Sequence, residues 1–310
     1  MKVNFIRRTE VGTWTYEYSS LLEKTLNDLG IDVVGYLPEA KKFRPCDVWF
    51  LQGDTDYEFL KFIKLAKSNG EKIVGHHHGG PELLGYFDHK EQKDFYDTFR
   101  LNLNKFDIIM FNTKWSRDKF IEFYKPNITD LTRLVTVGFP IDKGRFESKD
   151  KKWIVVPGRL ANDRQPMLAG IILKPWKDKT IFSAGINPGK DPLEAEYVNT
   201  LKQMGFSVRN LYGKDYDLLL GETKIVFSAS LRDTLNVSIF EGVLAGAIPV
   251  IPNVEPFKKI YSRFRYEAYS VEHARACIEQ ALRFVDTTSI FISEYTDHIK
   301  IIKSMVKLLS

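Results

Sequence analysis

Short apolar runs alternate with longer amphipathic stretches along this chain. In the first half the runs are Val3–Ile6, Ile31–Tyr36, Asp47–Gly53, Lys72–Gly75, Phe106–Phe111 and Leu134–Pro140. In the second half they are Trp153–Pro157, Lys179–Ala184, Gly205–Arg209, Lys224–Ser228 and Ala247–Ile251. Each has the length of a strand and is rich in Val, Ile or Phe. Helical stretches lie between them: Tyr16–Leu29 closed by Gly30, Tyr57–Ser68 ended by Asn69-Gly70, Lys90–Asn104, Ser116–Tyr124, Leu193–Met204 and Val237–Leu244 ended by Gly246. Alternation of strand and helix predicts parallel α/β layers. The pattern restarts after Asp142–Lys152, a polar, lysine-rich stretch suited to a linker. Two α/β domains are therefore expected, over residues 1–148 and 149–290. No short-period repeat and no low-complexity segment interrupts them.

Composition agrees with this picture and adds little chemistry. The 310 residues suffice for two domains, and 44% hydrophobic with 27% charged is ordinary for a globular chain. Cys46 and Cys277 are too few and too far apart for a disulfide framework or a metal knuckle, so reduced thiols in a cytoplasmic protein are expected. The start, MKVNFIRRTE, reads as a short strand followed by charge, with no apolar leader core. No apolar run is long enough for a membrane-spanning helix. The net charge of +5 is unevenly placed. Residues 1–148 carry 22 Lys+Arg against 22 Asp+Glu, and residues 149–310 carry 23 against 18. A basic second half suits a phosphorylated ligand.

The richest segment is Val226–Pro252: a strand end, a polar loop from Ser228 to Asn236, a helix and a second strand. Asp233 and Glu241 stand eight positions apart across the loop and the helix. Loops at the carboxyl ends of parallel strands bind ligands in open α/β sheets, and a helix amino terminus beside one favours anions. The segment from residue 233 reads D-T-L-N-V-S-I-F-E-G-V-L-A-G-A-I-P-V. It resembles the E-x7-E signature of retaining glycosyltransferases, family four and its relatives, roughly E-G-F-G-x-x-x-x-E-A-x-A-x-G-x-P-V. The second acid, the small residue after it, the glycine and the Pro-Val match. The first acid is Asp233, and Thr234 and Asn236 replace the loop glycines.

The resemblance implies two Rossmann-like domains facing across a cleft, the GT-B fold. The second domain would bind a nucleotide-diphosphate sugar and the first an acceptor, with a last helix, within 291–310, returning to the first domain. It places the ribose hydroxyls on Glu241 and the sugar hydroxyls on Asp233. Leu235, Asn236 and Val237 would present N–H groups to the donor at the helix start. A second segment, Pro157–Gln165, reads PGRLANDRQ and is similar to the family's G-R-L-x-x-x-K segment, which holds the diphosphate. Arg159 matches, and Arg164 stands in place of the lysine; either cation neutralises a leaving diphosphate. Tyr212 and Gly213, after the Gly205–Arg209 strand, fall where the nucleobase would rest. That base stays open among uridine, guanosine and adenosine, with a UDP-sugar preferred.

His76-His77-His78-Gly79-Gly80 ends a first-half strand. Successive side chains on a strand alternate sides, so the three histidines cannot converge on one metal. The family carries a histidine here that faces the transferred sugar; His78 is the first choice and His76 the second, against a purely structural loop. In the first strand-to-helix loop, Gly12 and Thr13 are candidates for donor contact, and Glu10 and Trp14 for the acceptor. Asp54-Thr55-Asp56 has a metal-binding shape but reads better as a helix cap. No essential divalent metal is expected.

The expected reaction is sugar transfer to an acceptor hydroxyl with retention, through an oxocarbenium-like state in which the departing phosphate helps deprotonate the acceptor. The acceptor stays open: a glycan or its lipid carrier, a small metabolite, or a hydroxylated base in DNA. Lys300, Lys303 and Lys307 share one face of the last helix and offer a peripheral contact with an anionic membrane; packing on the protein itself is the alternative. Two other function classes remain. One is a non-catalytic nucleotide-sugar-binding module, motivated by Asp233, Thr234 and Asn236. The other is a nucleotide-sugar epimerase.

Overall fold

The computed structural model describes residues 1–6, 14–36, 46–52, 63, 66–78, 99–183, 192–231, 236–255, 257–261, 263–284 and 298–309. The chain divides into two compact units, Met1–Asp142 with Ser293–Ser310, and Lys143–Ile292.

Unit 1 carries β1 (Lys2–Ile6), α1 (Trp14–Asp28), β2 (Asp32–Tyr36), β3 (Val48–Gln52), β4 (Lys72–His77), β5 (Ile108–Phe111), α2 (Lys114–Tyr124) and β6 (Leu134–Thr136). Its six strands lie in the order β2-β1-β3-β4-β5-β6, and every pairing is parallel. Gly30 at φ +75° closes α1, a left-handed position with open space around it that favours glycine. Thr113 and Ser116 form a reciprocal capping box at the start of α2. Alternation along the strands sends Trp49, Leu51, Ile73, Ile109 and Phe111 to one core, against Phe99, Phe106, Phe120 and Tyr124.

Unit 2 carries β7 (Trp153–Pro157), α3 (Pro166–Leu173), β8 (Thr180–Ser183), α4 (Pro192–Gln203), β9 (Ser207–Arg209), α5 (Gly213–Gly221), β10 (Thr223–Phe227), α6 (Val237–Leu244), β11 (Ile248–Pro252), α7 (Phe257–Ile260), β12 (Arg265–Tyr266) and α8 (Val271–Arg283). The strand order is β12-β11-β10-β7-β8-β9, again all parallel. On β7, Ile154 and Val156 join the core under α3, α4 and α8, while Val155 joins Leu219 of α5 on the other face. Both faces are covered, which is why these strands read as continuous apolar runs.

The last helix, α9 (His298–Leu309), belongs to unit 1 and packs on α1. Ile301, Ile302, Met305 and Leu309 are buried there, and Lys300, Lys303, Ser304 and Lys307 are exposed. Its apolar face is thus used within the protein. Lys72 Nζ donates to the carbonyls of Leu308 and Leu309 at 2.9 and 3.1 Å, which caps the helix end. Among the described residues no helix is long and apolar enough to cross a membrane.

The division between units falls at 142/143, ahead of the expected 148/149. Residues 143–148 pack into unit 2. Arg145 pairs with Asp217 and Glu241, and the Glu147 carbonyl lies 2.2 Å from where a Cβ on Gly221 would stand. The polar composition that marks a linker reflects ion pairing within unit 2.

The packing of α6 on β10 depends on Gly242. A Cβ there would lie 2.8 Å from Val226 Cβ. Gly242→Ala is expected to destabilise the protein by about 1–3 kcal/mol, the usual cost of overpacking a tight core. A urea midpoint unchanged from wild type would show that the helix can lift away freely.

Candidate functional site

In unit 2 the chain winds from β7 outward to β8 and β9, then returns to β10 on the other side of β7 and continues to β11 and β12. Neighbouring connections therefore leave β7 and β10 in opposite directions, and ligands of doubly wound sheets bind at the carboxyl ends of such strands. The segments gathered there are the two singled out from the sequence. Gly158 follows β7 at φ +101°, and a Cβ on it would come within 4.0 Å of Ser238 Oγ in the first turn of α6. Ser230, after β10, donates its hydroxyl to the Asp163 carbonyl at 3.3 Å. The loop after β7 and the start of α6 are thus neighbours.

Arg159 is exposed, with Nη2 3.2 Å from Asp163 Oδ2. Arg164 is more buried, with Nε 3.6 Å from the same oxygen. Burial holds the Arg164 guanidinium below its usual pKa, opposed by Asp163 and reinforced by Arg159. Asp163 thus stands between the two guanidinium groups. Asp163 was not among the sequence candidates, although its i,i+4 spacing from Arg159 was a usable signal. Asn236 is buried and caps α6, its side chain accepting from Ile239 N at 3.3 Å. Val237, half-buried, is the first helical residue.

Glu241 is 6% exposed in the middle of α6. Its Oε1 lies 3.2 Å from Arg145 Nη2. The same guanidinium donates through Nε and Nη2 to Asp217 Oδ1 on α5, at 2.9 and 2.8 Å. The Tyr216 hydroxyl is buried near Glu241 and Ser238, and its pKa is raised by burial first and by Glu241 second. Sequence reading missed Arg145, Asp217 and Tyr216. Arg145 sat in an apparent linker, and nothing local announced its partners.

At the start of α5, Tyr212 is 45% exposed and its side chain makes no capping bond. Gly213 has φ +53° with nothing within 4 Å of a built Cβ. An exposed ring beside bare backbone is suited to stacking on a flat group. Asp233, Leu235, Gly12, Thr13, Glu10 and Asp54–Asp56 lie outside the described residues, as does the side chain of Trp14.

The histidines divide as strand alternation requires. His77 packs into the core against Phe99, Phe111 and Phe120. His76 and His78 share the opposite face, their rings 4.5 Å apart, with Tyr18 and Phe139 around them. The Tyr18 hydroxyl lies 2.5 Å from His76 Nδ1. Burial raises the Tyr18 pKa, so the phenol keeps its proton and we assign it as the donor to Nδ1. The proton of neutral His76 then sits on Nε2, which is buried without a hydrogen bond beside Asn112, whose Oδ1 is likewise unpartnered. Asn112 Nδ2 lies 3.4 Å from His78 Nδ1, and His78 is half-buried. Tyr18 and Asn112 were also missed from sequence. Among the described residues no group of three His, Cys, Asp or Glu side chains could hold a metal ion.

Comparison with known proteins finds matches in structure alone. No family model and no curated sequence matches the chain. The Anabaena protein HepE (Alr3699), crystallised with UDP and glucose, aligns over 100% of this chain and 99% of its own, at 12% identity and a TM-score of 0.74. Sucrose-phosphate synthase from Thermosynechococcus elongatus aligns over 99% and 98%, at 8% identity and 0.73. A glycosyltransferase from Rickettsia africae aligns over 99% and 97%, at 12% identity and 0.69. At these identities the likeness is one of fold. The chain has the GT-B glycosyltransferase fold, with two Rossmann-like parallel sheets.

Burial of His76, opposed by the neighbouring Asn112 side chain and reinforced by His77, pushes its pKa down to about 3. The unfolded chain binds a proton there below about pH 6.5 that the folded chain refuses. His76 therefore adds stability above that pH, and the contribution is lost as pH falls toward 3, by at most about 1.4 kcal/mol per pH unit. Urea denaturation at pH 7, 6 and 5 is expected to show a shallower decline in His76→Gln than in wild type. Parallel declines would place the acid sensitivity elsewhere.

Proposed function

We propose that this chain is a glycosyltransferase that moves a sugar from a nucleotide-diphosphate sugar, a UDP-sugar in preference, to an acceptor hydroxyl. The observation that carries this is the meeting, at the β7/β10 reversal of unit 2, of a paired-arginine loop and the start of α6. A GT-B fold shared with HepE, which was crystallised with UDP-glucose, supports it. The diphosphate lies by Arg159, Arg164 and the first amides of α6. The base rests on Tyr212 and Gly213, and Glu241 accepts the ribose hydroxyls. Asp233, with Leu235, Asn236 and Val237 beside it, orients the sugar.

The C1–oxygen bond to the diphosphate breaks as charge grows on the leaving oxygen, and the two arginines stabilise that charge. The departing phosphate takes the acceptor proton, and the new bond forms on the same face, with retention. No divalent metal is needed, because fixed cations do its work. On the resemblance, unit 1 takes the acceptor, with His78 and then His76 as its candidate histidine. The neutral charge of residues 1–148 favours a glycan or lipid-linked glycan over a hydroxylated base in DNA. The enzyme works in the cytoplasm.

One observation favours a second reading, a binding module without turnover. Asn236 takes the Ile239 amide for its own cap, where the family signature has a glycine.

The test is release of nucleoside diphosphate from UDP-, GDP-, ADP- and TDP-sugars, with candidate acceptors and without. Wild type is expected to act on one donor, and Arg164→Ala and Glu241→Ala to lose about a hundredfold or more in kcat/KM. Binding without release under every condition would favour the module. No binding of any donor would sink the reading. Duplex DNA that binds tightly at low salt and weakly at high salt would restore the DNA acceptor.

A further inference from the structure

A nucleotide held in unit 2 would cross from α5 to α6, and one side chain outside both helices ties them together. Arg145 stands at the end of the short turn Lys143–Arg145. Its Nε and Nη2 both reach Asp217 Oδ1, at 2.9 and 2.8 Å, and Nη2 lies 3.2 Å from Glu241 Oε1. Asp217 belongs to α5, which begins at the exposed Tyr212 and Gly213. Glu241 belongs to α6, which begins beside Gly158. Ribose lies between base and phosphates in any nucleotide. The carboxylate at this joint is therefore where its hydroxyls arrive.

Resting on the donor-site reading above, we propose that Arg145 is a positioning residue for Glu241. Anchored by Asp217, it holds the Glu241 carboxylate charged and in one orientation, so that Glu241 accepts ribose hydroxyls and selects ribonucleotides over 2′-deoxyribonucleotides. The planar fork of an arginine can serve both acids at once, which a lysine ammonium does less well. The guanidinium is steadied over the Phe146 ring, 4.9 Å from its centroid. The buried Tyr216 hydroxyl lies beside Glu241 and Ser238 at the same joint.

Calorimetric titration with UDP, GDP and ADP and their 2′-deoxy counterparts tests this in wild type, Arg145→Met and Arg145→Lys. Wild type is expected to bind one ribonucleotide about tenfold or more tighter than its 2′-deoxy form. In Arg145→Met that ratio falls toward one, while affinity for the 2′-deoxy form stays within about threefold of wild type. Arg145→Lys falls between them. Equal weakening of both forms in Arg145→Met would make Arg145 a structural residue only, and an unchanged ratio would remove it from ribose recognition; either overturns the proposal. Wild type binding none of the six would overturn the donor-site reading and this proposal with it. If Arg145→Met does not fold by circular dichroism, Asp217→Asn removes the anchor instead and is expected to lower the ratio in the same direction.

Discussion

The reversal of winding between β7 and β10 is the constraint on which unit 2 depends. A parallel strand must be reached by a crossover, and the chain reaches β8 and β9 on one side of β7 and β10 to β12 on the other. Only at that boundary do the loops leaving two adjacent strands diverge and open a crevice. Everything placed there follows from chain order. The segment after β7 brings cations, and the segment after β10 brings the start of a helix. Their proximity is fixed by the sheet, and the hydrogen bond from Ser230 to the Asp163 carbonyl adds to it.

The segments gathered at this boundary carry charges that constrain each other. Arg159 and Arg164 share Asp163, and Asp217 and Glu241 share Arg145. Such shared ions cost desolvation energy, and replacing them with apolar residues would often stabilise a protein. Both clusters agree with the donor proposed above, whose phosphates would meet the first and whose hydroxyls would meet the second.

The strands were legible because both sheet faces are covered and the runs are apolar throughout, as at Trp153–Pro157 and Ile248–Pro252. α6 was legible from Asn236 to Gly246 because its cap and its stop are both local signals. The short edge strand β12, two residues long, carries too little pattern to be read. At the site, what is near in sequence was readable and what is near only in space was not. Arg159 and Arg164 declare themselves within one loop. The partners of Glu241 come from residues 145 and 217. No periodicity links three such positions, and the lysine-rich run around Arg145 suggested a solvated linker instead. The histidines show the same limit. Alternation separated His77 from His76 and His78, but Tyr18 and Asn112 are supplied by α1 and the end of β5.

The loss of both signature glycines before α6 looks at first incompatible with close approach of a phosphate. The arrangement around Gly158 offers a resolution. A glycine serves an anion site by removing side chains between backbone amides and ligand. On the α6 side Asn236 gives up that role, and its side chain caps the helix by taking the Ile239 amide. On the β7 side Gly158 has no side chain and adopts φ +101°, and a Cβ on it would come within 4.0 Å of Ser238 Oγ. Room lost on one wall of the crevice is thus present on the other. A residue larger than glycine at 158 would meet both a left-handed backbone and the first turn of α6.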